Sequence, residues 1–552
     1  MNFDFSYIDI AFVNGKVLTV NASCDTAEAV GVKGNRIVFV GSAAELMELI
    51  DEKTKVIDLK GRTLMPGMID PHYHPILSGL IGTDLDSGII NTLPGVIVNS
   101  LADLMDLVRR CVATKKPGEW MSTMGFDGEK VPEKRWPTLE EMDAAAPDNP
   151  IQLMHNGGHF SYYNSKALAY LGVFGPEDAK KYPDGAVEVV DGKLTGCVRD
   201  HTHFWLWGQI PYPEQVQKAG ALKMQKQLLE NGVTSIHDTG ECGASSYHIM
   251  QKLCKGKDRE FRVRSYMVLH DIFGKPFSYA ENEHWLELGL MTGLGDEYFK
   301  IGTCKFMIDG DPAAPSAGTR NPYNNHEWEF VMGWERDETA DYIVKINEAE
   351  CQATAHAMGD LAIEYMVNGY ERSYALDPDR ELRLRNRIEH CSMAFPDLIQ
   401  RMAKCGIYPI MNPGMNTVDA GLWYKWLGPE RMRWYHPTRS MIDAGMRPCF
   451  ASDMPSGPVG LALIDGAVNR YCRATDFQMD QAECCTLMEA IQCCTINPAY
   501  AAFEENIKGS IEVGKLADMI ILSEDITSVP SMELNRVKVD LTMIDGIVEY
   551  ER

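Results

Sequence analysis

Two histidines one residue apart, in Asp70-Pro71-His72-Tyr73-His74-Pro75, are the first residues whose type and spacing suggest chemistry. They follow Leu64–Ile69, an apolar run that reads as a strand. In extended backbone, residues i and i+2 project to the same side, so His72 and His74 aim at one point and can grip one metal ion. A pair of core or surface histidines would show the same spacing, and the chain has 14 histidines. Other ligand types recur at other strand ends. His356 closes Ala353-Thr354-Ala355, His390 closes Arg387-Ile388-Glu389, Asp453 follows Phe450-Ala451-Ser452, and Lys305 lies within Thr303–Met307. Each has an ordinary alternative: a satisfied core histidine for His356 or His390, a helix cap for Asp453, an ion pair with Asp309 for Lys305. Together they gather ligand-type side chains at strand C-terminal ends, where barrel enzymes build their sites.

The elements that must position them are legible as repeating units. Short apolar runs occur at Met68–Ile69, Val233–Ile236, Val263–Val268, Thr303–Met307, Ala353–Ala355, Arg387–Glu389, Ile407–Met411 and Pro448–Ala451. Helix-patterned stretches stand between several of them, at Ala219–Glu230, Thr339–Glu348, Ile363–Tyr374 and Phe395–Lys404. Repeated β-then-α units predict an α/β fold with a closed (β/α)8 TIM barrel, over residues 66–80 and 215–504. Both chain ends read as strands, with turn signals at Gly34-Asn35 and Asp545-Gly546. They predict one small β-sandwich domain from residues 1–65 and 505–552. About 150 residues separate the first run from the second, and they hold Trp120, Trp136, Tyr162, Tyr163, Tyr170 and a strand-like Ile151–Met154. A connection that long must carry its own structure, so residues 81–214 are expected to form an inserted lid subdomain.

A net charge of −25 argues against nucleic acid and anionic membranes as partners. No run of 18 apolar residues suggests a membrane span, and the N-terminus lacks the pattern of a signal peptide. The 15 cysteines show no metal or redox spacing; Cys484-Cys485 and Cys493-Cys494 are directly adjacent. Thiols without an export signal suggest a reducing cytoplasm. A small-molecule substrate and a symmetric homodimer are the default expectations.

The ordered motifs resemble the amidohydrolase superfamily, and within it the YtcJ-like branch of metal-dependent hydrolases (the amidohydrolase 3 group that includes N-substituted formamide deformylase). The motifs are Pro66-Gly67-Met68-Ile69-Asp70-Pro71-His72-Tyr73-His74, Gly232–Asp238, Lys305–Gly310, His356-Ala357-Met358-Gly359-Asp360, Arg387-Ile388-Glu389-His390, Ser452-Asp453, Thr495–Ala499 and Gly509–Asp518. The resemblance implies two divalent ions per chain, zinc or else manganese or iron. His72 and His74 would bind one ion with Asp453 close by, and His356 and His390 the other. Lys305, N6-carboxylated, would bridge them. Metal coordination lowers the pKa of water to about 7, giving a hydroxide that attacks a carbonyl carbon, while Asp453 carries the proton to the leaving group. His159 would reach in from the insertion toward the oxyanion, and His155, Phe126 and Asn412 are further candidate substrate contacts. Glu389, Asp360 and Asp309 are candidates to orient the metal-binding histidines. Three departures from the family pattern bear on substrate: Gly157 before Gly158-His159, Met411-Asn412-Pro413, and Asp309-Gly310-Asp311-Pro312. The leading expectation is cleavage of a C–N bond in an amide, formamide or cyclic amide. Opening of a lactone or of a cyclic diketone at the same metal site is the first alternative; a non-catalytic scaffold is the second.

Overall fold

Parallel strands cannot be joined by a tight turn; each pair needs a crossover of a dozen or more residues, usually a helix. The apolar runs are spaced for such crossovers. In the computed structural model they form one parallel sheet: β1 (Met68–Tyr73), β2 (Val233–Asp238), β3 (Arg262–Val268), β4 (Phe299–Met307), β5 (Ala353–Ala357), β6 (Arg387–His390), β7 (Tyr408–Met411) and β8 (Cys449–Phe450). The structure describes residues 8–80, 89–91, 98–128, 131–155, 158–182, 186–210, 214–239, 243–255, 262–268, 284–313, 315–324 and 332–552. Each barrel strand pairs with the next in chain order. The helix-patterned stretches lie in helices Glu214–Glu230, Arg336–Glu348, Asp360–Leu376 and Pro396–Lys404. Every residue of β1, β2, β5 and β6 is buried, as strands covered on both faces require.

The last strand meets the first at the rim. Asp453 N–H donates to the His72 carbonyl at 3.0 Å, and His74 N–H donates to the Met454 carbonyl at 3.2 Å. Ser452 N–H donates to the Asp70 carboxylate at 3.2 Å. The seam of the barrel therefore runs beside His72, His74 and Asp453.

Both chain ends join in two sheets. One runs, in spatial order, Arg36–Gly41, Ala29–Lys33, Ile10–Val13, Lys55–Asp58. The other runs Ile547–Glu551, Val539–Ile544, Met519–Leu522, Thr63–Pro66, Lys16–Leu18, Thr26–Ala27. Their shared core includes Phe12, Val30, Leu64, Met519 and Leu541. Asp545 and Gly546 both take positive φ, 55° and 73°, as a two-residue hairpin of the twisted kind demands. At the opposite end of β3 from the rim, Arg262 binds this layer. Its Nε and Nη2 donate to the two oxygens of Asp518, at 2.7 and 3.2 Å, and Nη2 also reaches Asp545.

The inserted segment has its own sheet, in the order Val187–Val190, Lys193–Arg199, Phe160–Tyr163, Ile151–His155, Met121–Phe126, Ile89–Asn91. Helices Leu101–Val112 and Leu139–Ala145 supply its crossovers. Its flanking helices, Pro75–Leu80 and Glu214–Glu230, touch at Gly79, where an added Cβ would meet the Gly220 carbonyl oxygen at 1.6 Å. Only glycine allows that approach, so the segment leaves and re-enters the barrel at one point.

Candidate metal centre

Strand parity decides which side chains reach the rim of the barrel. On β1, Asp70 and His72 share one face, and His74 follows on the same side just past the strand end. On β5, Thr354 and His356 share a face; on β6, Arg387 and Glu389 do. His390 departs from this alternation. Its φ of 67° is left-handed, as is the 56° of Asp453, a backbone state that is uncommon outside glycine and clusters at functional sites.

The rim side chains converge. His72 Nε2 lies 3.3 Å and His74 Nε2 3.2 Å from Asp453 Oδ1. Ligand atoms of these three residues all lie within 4.8 Å of one another, the only such cluster among the described residues. Lys305 Nζ is 3.2 Å from His72 Nε2. The His390 ring is 4.5 Å from that of His72 and 4.3 Å from that of His356, and His159 stands 5.0 Å from His356. A cavity of about 580 Å³, counted with its open mouth, is lined by these residues except for the deeper supports described next. Leu77, Met124, Phe204, Trp207 and Met307 form its apolar wall.

Supports fix the proton on each ring. His72 Nδ1 lies 2.6 Å from Glu389 Oε2. A carboxylate only accepts, so Nδ1 carries the proton and Nε2 keeps its lone pair. Glu389 also accepts from Thr354 Oγ1 at 2.9 Å and from Arg387 at 3.0 Å. Arg387 in turn donates to the Pro71 carbonyl at 2.8 Å and to His237 Nδ1 at 3.0 Å. His390 Nδ1 faces Asn412 Oδ1 at 2.9 Å, while Asn412 Nδ2 donates to the Ala451 carbonyl at 3.1 Å. His356 Nε2 lies 3.2 Å from the Gly310 carbonyl, so that nitrogen is the donor and Nδ1 holds the lone pair. Metal-binding imidazoles commonly have such partners.

The electrostatics agree. Burial drives His390 down to about 3, helped by His72 and opposed by Asp453. Burial, with His390 beside it, drives His356 well below its ordinary value. Both rings are neutral near pH 7, as ligands must be. Burial would raise the Asp453 carboxyl, but the His72 and His74 rings against it outweigh burial and hold Asp453 well below the usual carboxylate range. Glu389 falls to about 2: burial opposes ionisation, and Arg387 and His72 overcome it. Burial pushes Lys305 down to about 8. The donor set fits a divalent ion, since neutral imidazoles and an ionised carboxylate meet within ligating reach.

Some expected contacts lie elsewhere. Asn412 does not line the cavity; both ends of its amide are committed, to His390 and Ala451. Phe126 and His155 close neighbouring strands of the inserted sheet and turn into its core. Phe126 packs edge-on against Trp136 at 4.9 Å, and His155 stacks on Phe160 at 4.6 Å. Asp309 accepts the N–H groups of Met358, Gly359 and Gly318, and its Oδ1 lies 3.6 Å from His356 Nε2. Asp360 opens a helix and accepts the Arg320 N–H at 3.0 Å. Asn156 and Gly157 lie outside the described residues. Arg387 was not among the expected residues, although its parity with Glu389 on one strand was a usable signal.

Comparison with known proteins agrees with this architecture. A family model described as the amidohydrolase family matches residues 55–550. N-substituted formamide deformylase of Arthrobacter pascens is 27% identical, over 99% of this chain and 98% of that protein. The protein LONG AFTER FAR-RED 3 of Arabidopsis thaliana is 27% identical over 93% of this chain and 87% of its own length. Among solved structures, an uncharacterised metal-dependent hydrolase from Pyrococcus horikoshii superposes with a TM-score of 0.72 at 20% identity, covering 95% of this chain and 99% of that one.

Proposed function

The chain belongs to the amidohydrolase family, and from that premise we propose that this metal-dependent hydrolase cleaves the C–N bond of an amide, formamide or cyclic amide. The observation that carries the site is the meeting of His72 Nε2, His74 Nε2 and Asp453 Oδ1. His72, His74 and Asp453 would hold one divalent ion, and His356 and His390 a second. Lys305 would serve them as a carbamate: its Nζ lies 3.2 Å from His72 Nε2, and an ammonium there would be a poor ligand. When bound, the ions supply Lewis acidity, which acidifies water and polarises a carbonyl. The similarity to a formamide deformylase supports the C–N reading.

The protein's own groups do the rest. Asp453, ionised at neutral pH, accepts the proton of the attacking water and passes it to the leaving nitrogen. Glu389 and Asn412 hold His72 and His390 in the tautomers that leave Nε2 free. His159, beside His356 and facing the cavity, donates toward the oxyanion that forms at the carbonyl. The inserted segment 81–214 acts as a lid, with Met124, Phe204 and Trp207 keeping water from the apolar side of the cavity.

The test is metal content by elemental analysis, joined to a panel of N-substituted formamides, cyclic amides, lactones and cyclic 1,3-diketones. About two ions per chain and turnover confined to the amides are expected. Turnover of the lactones or diketones alone would overturn the C–N reading, and full activity in metal-free protein would overturn the mechanism.

A further inference from the structure

Behind the cavity wall, buried polar side chains form an unbroken chain of hydrogen bonds within the inserted segment. Ser122 Oγ donates to Gln152 Oε1 at 2.6 Å, and Gln152 Nε2 donates to the Tyr163 hydroxyl at 2.9 Å. That hydroxyl lies 2.8 Å from His203 Nδ1, and His203 Nε2 lies 3.0 Å from the Gly158 carbonyl. Gln152, Tyr163 and His203 are each 0% exposed.

The last acceptor sets the direction of the whole chain. A carbonyl has no proton to give, so His203 Nε2 carries one. In a neutral ring Nδ1 is then bare and takes the hydroxyl proton of Tyr163, whose oxygen accepts from Gln152. The opposite tautomer would set two lone pairs against each other at 3.0 Å. The cation would satisfy both contacts, but burial pushes His203 down to about 3.

Two links lead from this chain to the cavity. Gly158, the residue His203 grips, precedes His159 directly, and its φ of 75° is one that glycine tolerates and other residues resist. The Gly158 N–H donates to the His155 carbonyl at 2.9 Å, and the His203 contact ties the carbonyl side of the same residue. The other link is the helix that carries His203, Asp200–Trp207, which also presents Phe204 and Trp207 to the cavity. The His203 ring stacks on Trp207 at 5.8 Å, and His159 meets Phe204 edge-on, also at 5.8 Å.

The geometry assigns His203 as a positioning residue: its Nε2–H pins the Gly158 carbonyl and so fixes His159 in the cavity, with Tyr163 selecting the tautomer that makes this possible. The assignment rests on the reading of His159 as the oxyanion donor. His203 touches no reacting atom; it acts through the loop.

The test compares His203→Phe, His203→Gln and Tyr163→Phe. The readouts are metal content, backbone hydrogen exchange across residues 158–163, and kcat and KM for N-(2-phenylethyl)formamide. In His203→Phe, exchange in that segment should quicken with metal content unchanged. Its kcat should fall about 100-fold while KM moves less than about threefold, as for a misplaced group acting in the transition state. Glutamine presents an amide donor at similar reach, so His203→Gln should recover about 10-fold of that loss. Unchanged exchange in His203→Phe, or equal impairment of the Gln and Phe variants, would overturn the assignment. If His203→Phe does not fold, Tyr163→Phe decides by the same readouts: unchanged exchange and kcat there would overturn it. If the wild type turns over no amide, the C–N reading fails, while the exchange comparison still decides the role of His203.

Discussion

Replacing Glu389 with glutamine keeps the shape of the support beneath His72 and removes its charge. In the wild type, one carboxylate oxygen takes the His72 Nδ1 proton at 2.6 Å, and the other takes Thr354 and Arg387 at 2.9 and 3.0 Å. An amide cannot serve both sides. It has one acceptor oxygen, so its NH2 must face either the His72 N–H or the Arg387 guanidinium, and one donor is left buried and unmatched. The stability cost follows from two routes. The depression of Glu389 from 4.5 to about 2 corresponds to roughly 3 kcal/mol at neutral pH. Leaving a buried partner charge uncompensated costs about 3–5 kcal/mol. If the 552 residues unfold as a unit, roughly 3 kcal/mol lowers Tm by about 2–3 °C. Because the folded-state pKa is depressed, this contribution is present above the unfolded value and is lost as pH falls from 4.5 toward about 2. The Tm gap between wild type and variant should therefore close across that window. Metal affinity should fall about 10- to 100-fold, the usual cost of losing a partner behind a metal-binding histidine. The assays are thermal unfolding of the metal-free protein at several pH values and zinc affinity by chelator competition. An affinity within about threefold of wild type, with an unchanged Tm, would refute the coupling of Glu389 to His72.

Asp453→Asn should retain metal at the four histidines while kcat falls at least about 100-fold, since the amide cannot accept the proton; near-native kcat with full metal content would remove Asp453 from proton transfer. Arg262→Met should destabilise the chain by about 3–5 kcal/mol, because Asp518 and Asp545 then lose their buried partner. Urea unfolding checks this, and a midpoint equal to wild type would count against it.

Much of the barrel was legible because two simple periods coincide with function. Apolar runs spaced for crossovers mark the strands, and polar residues at their C-terminal ends mark the rim. His72, His74, Lys305, His356, His390 and Asp453 all stand at or near such ends. What sequence could not convey is where a side chain stops. Asn412 sits on a rim strand beside His390, yet its amide is consumed beneath the cavity rather than within it. Phe126 and His155 end strands too, but strands of a second sheet, whose own aromatic core claims them. Arg387 and His203 are hidden for the opposite reason. His203 shares the His-x-His spacing of the rim pair, in His201-Thr202-His203, but stands on a helix, where residues i and i+2 do not face the same way; only tertiary packing reveals that Arg387 and His203 are nearly or fully enclosed, at 1% and 0% exposed.

The seam of the barrel has a consequence for how the protein is made. His72 and His74 emerge early in synthesis, and Asp453 some 380 positions later. The bonds that seat them, from Asp453 N–H to the His72 carbonyl and from His74 N–H to the Met454 carbonyl, join the first strand to the segment after the last. Until that final segment leaves the ribosome, the histidine pair has no carboxylate across from it, and a nascent chain offers a passing metal ion only two of its three converging ligands. The three-residue cluster is thereby completed only when the ring of strands closes.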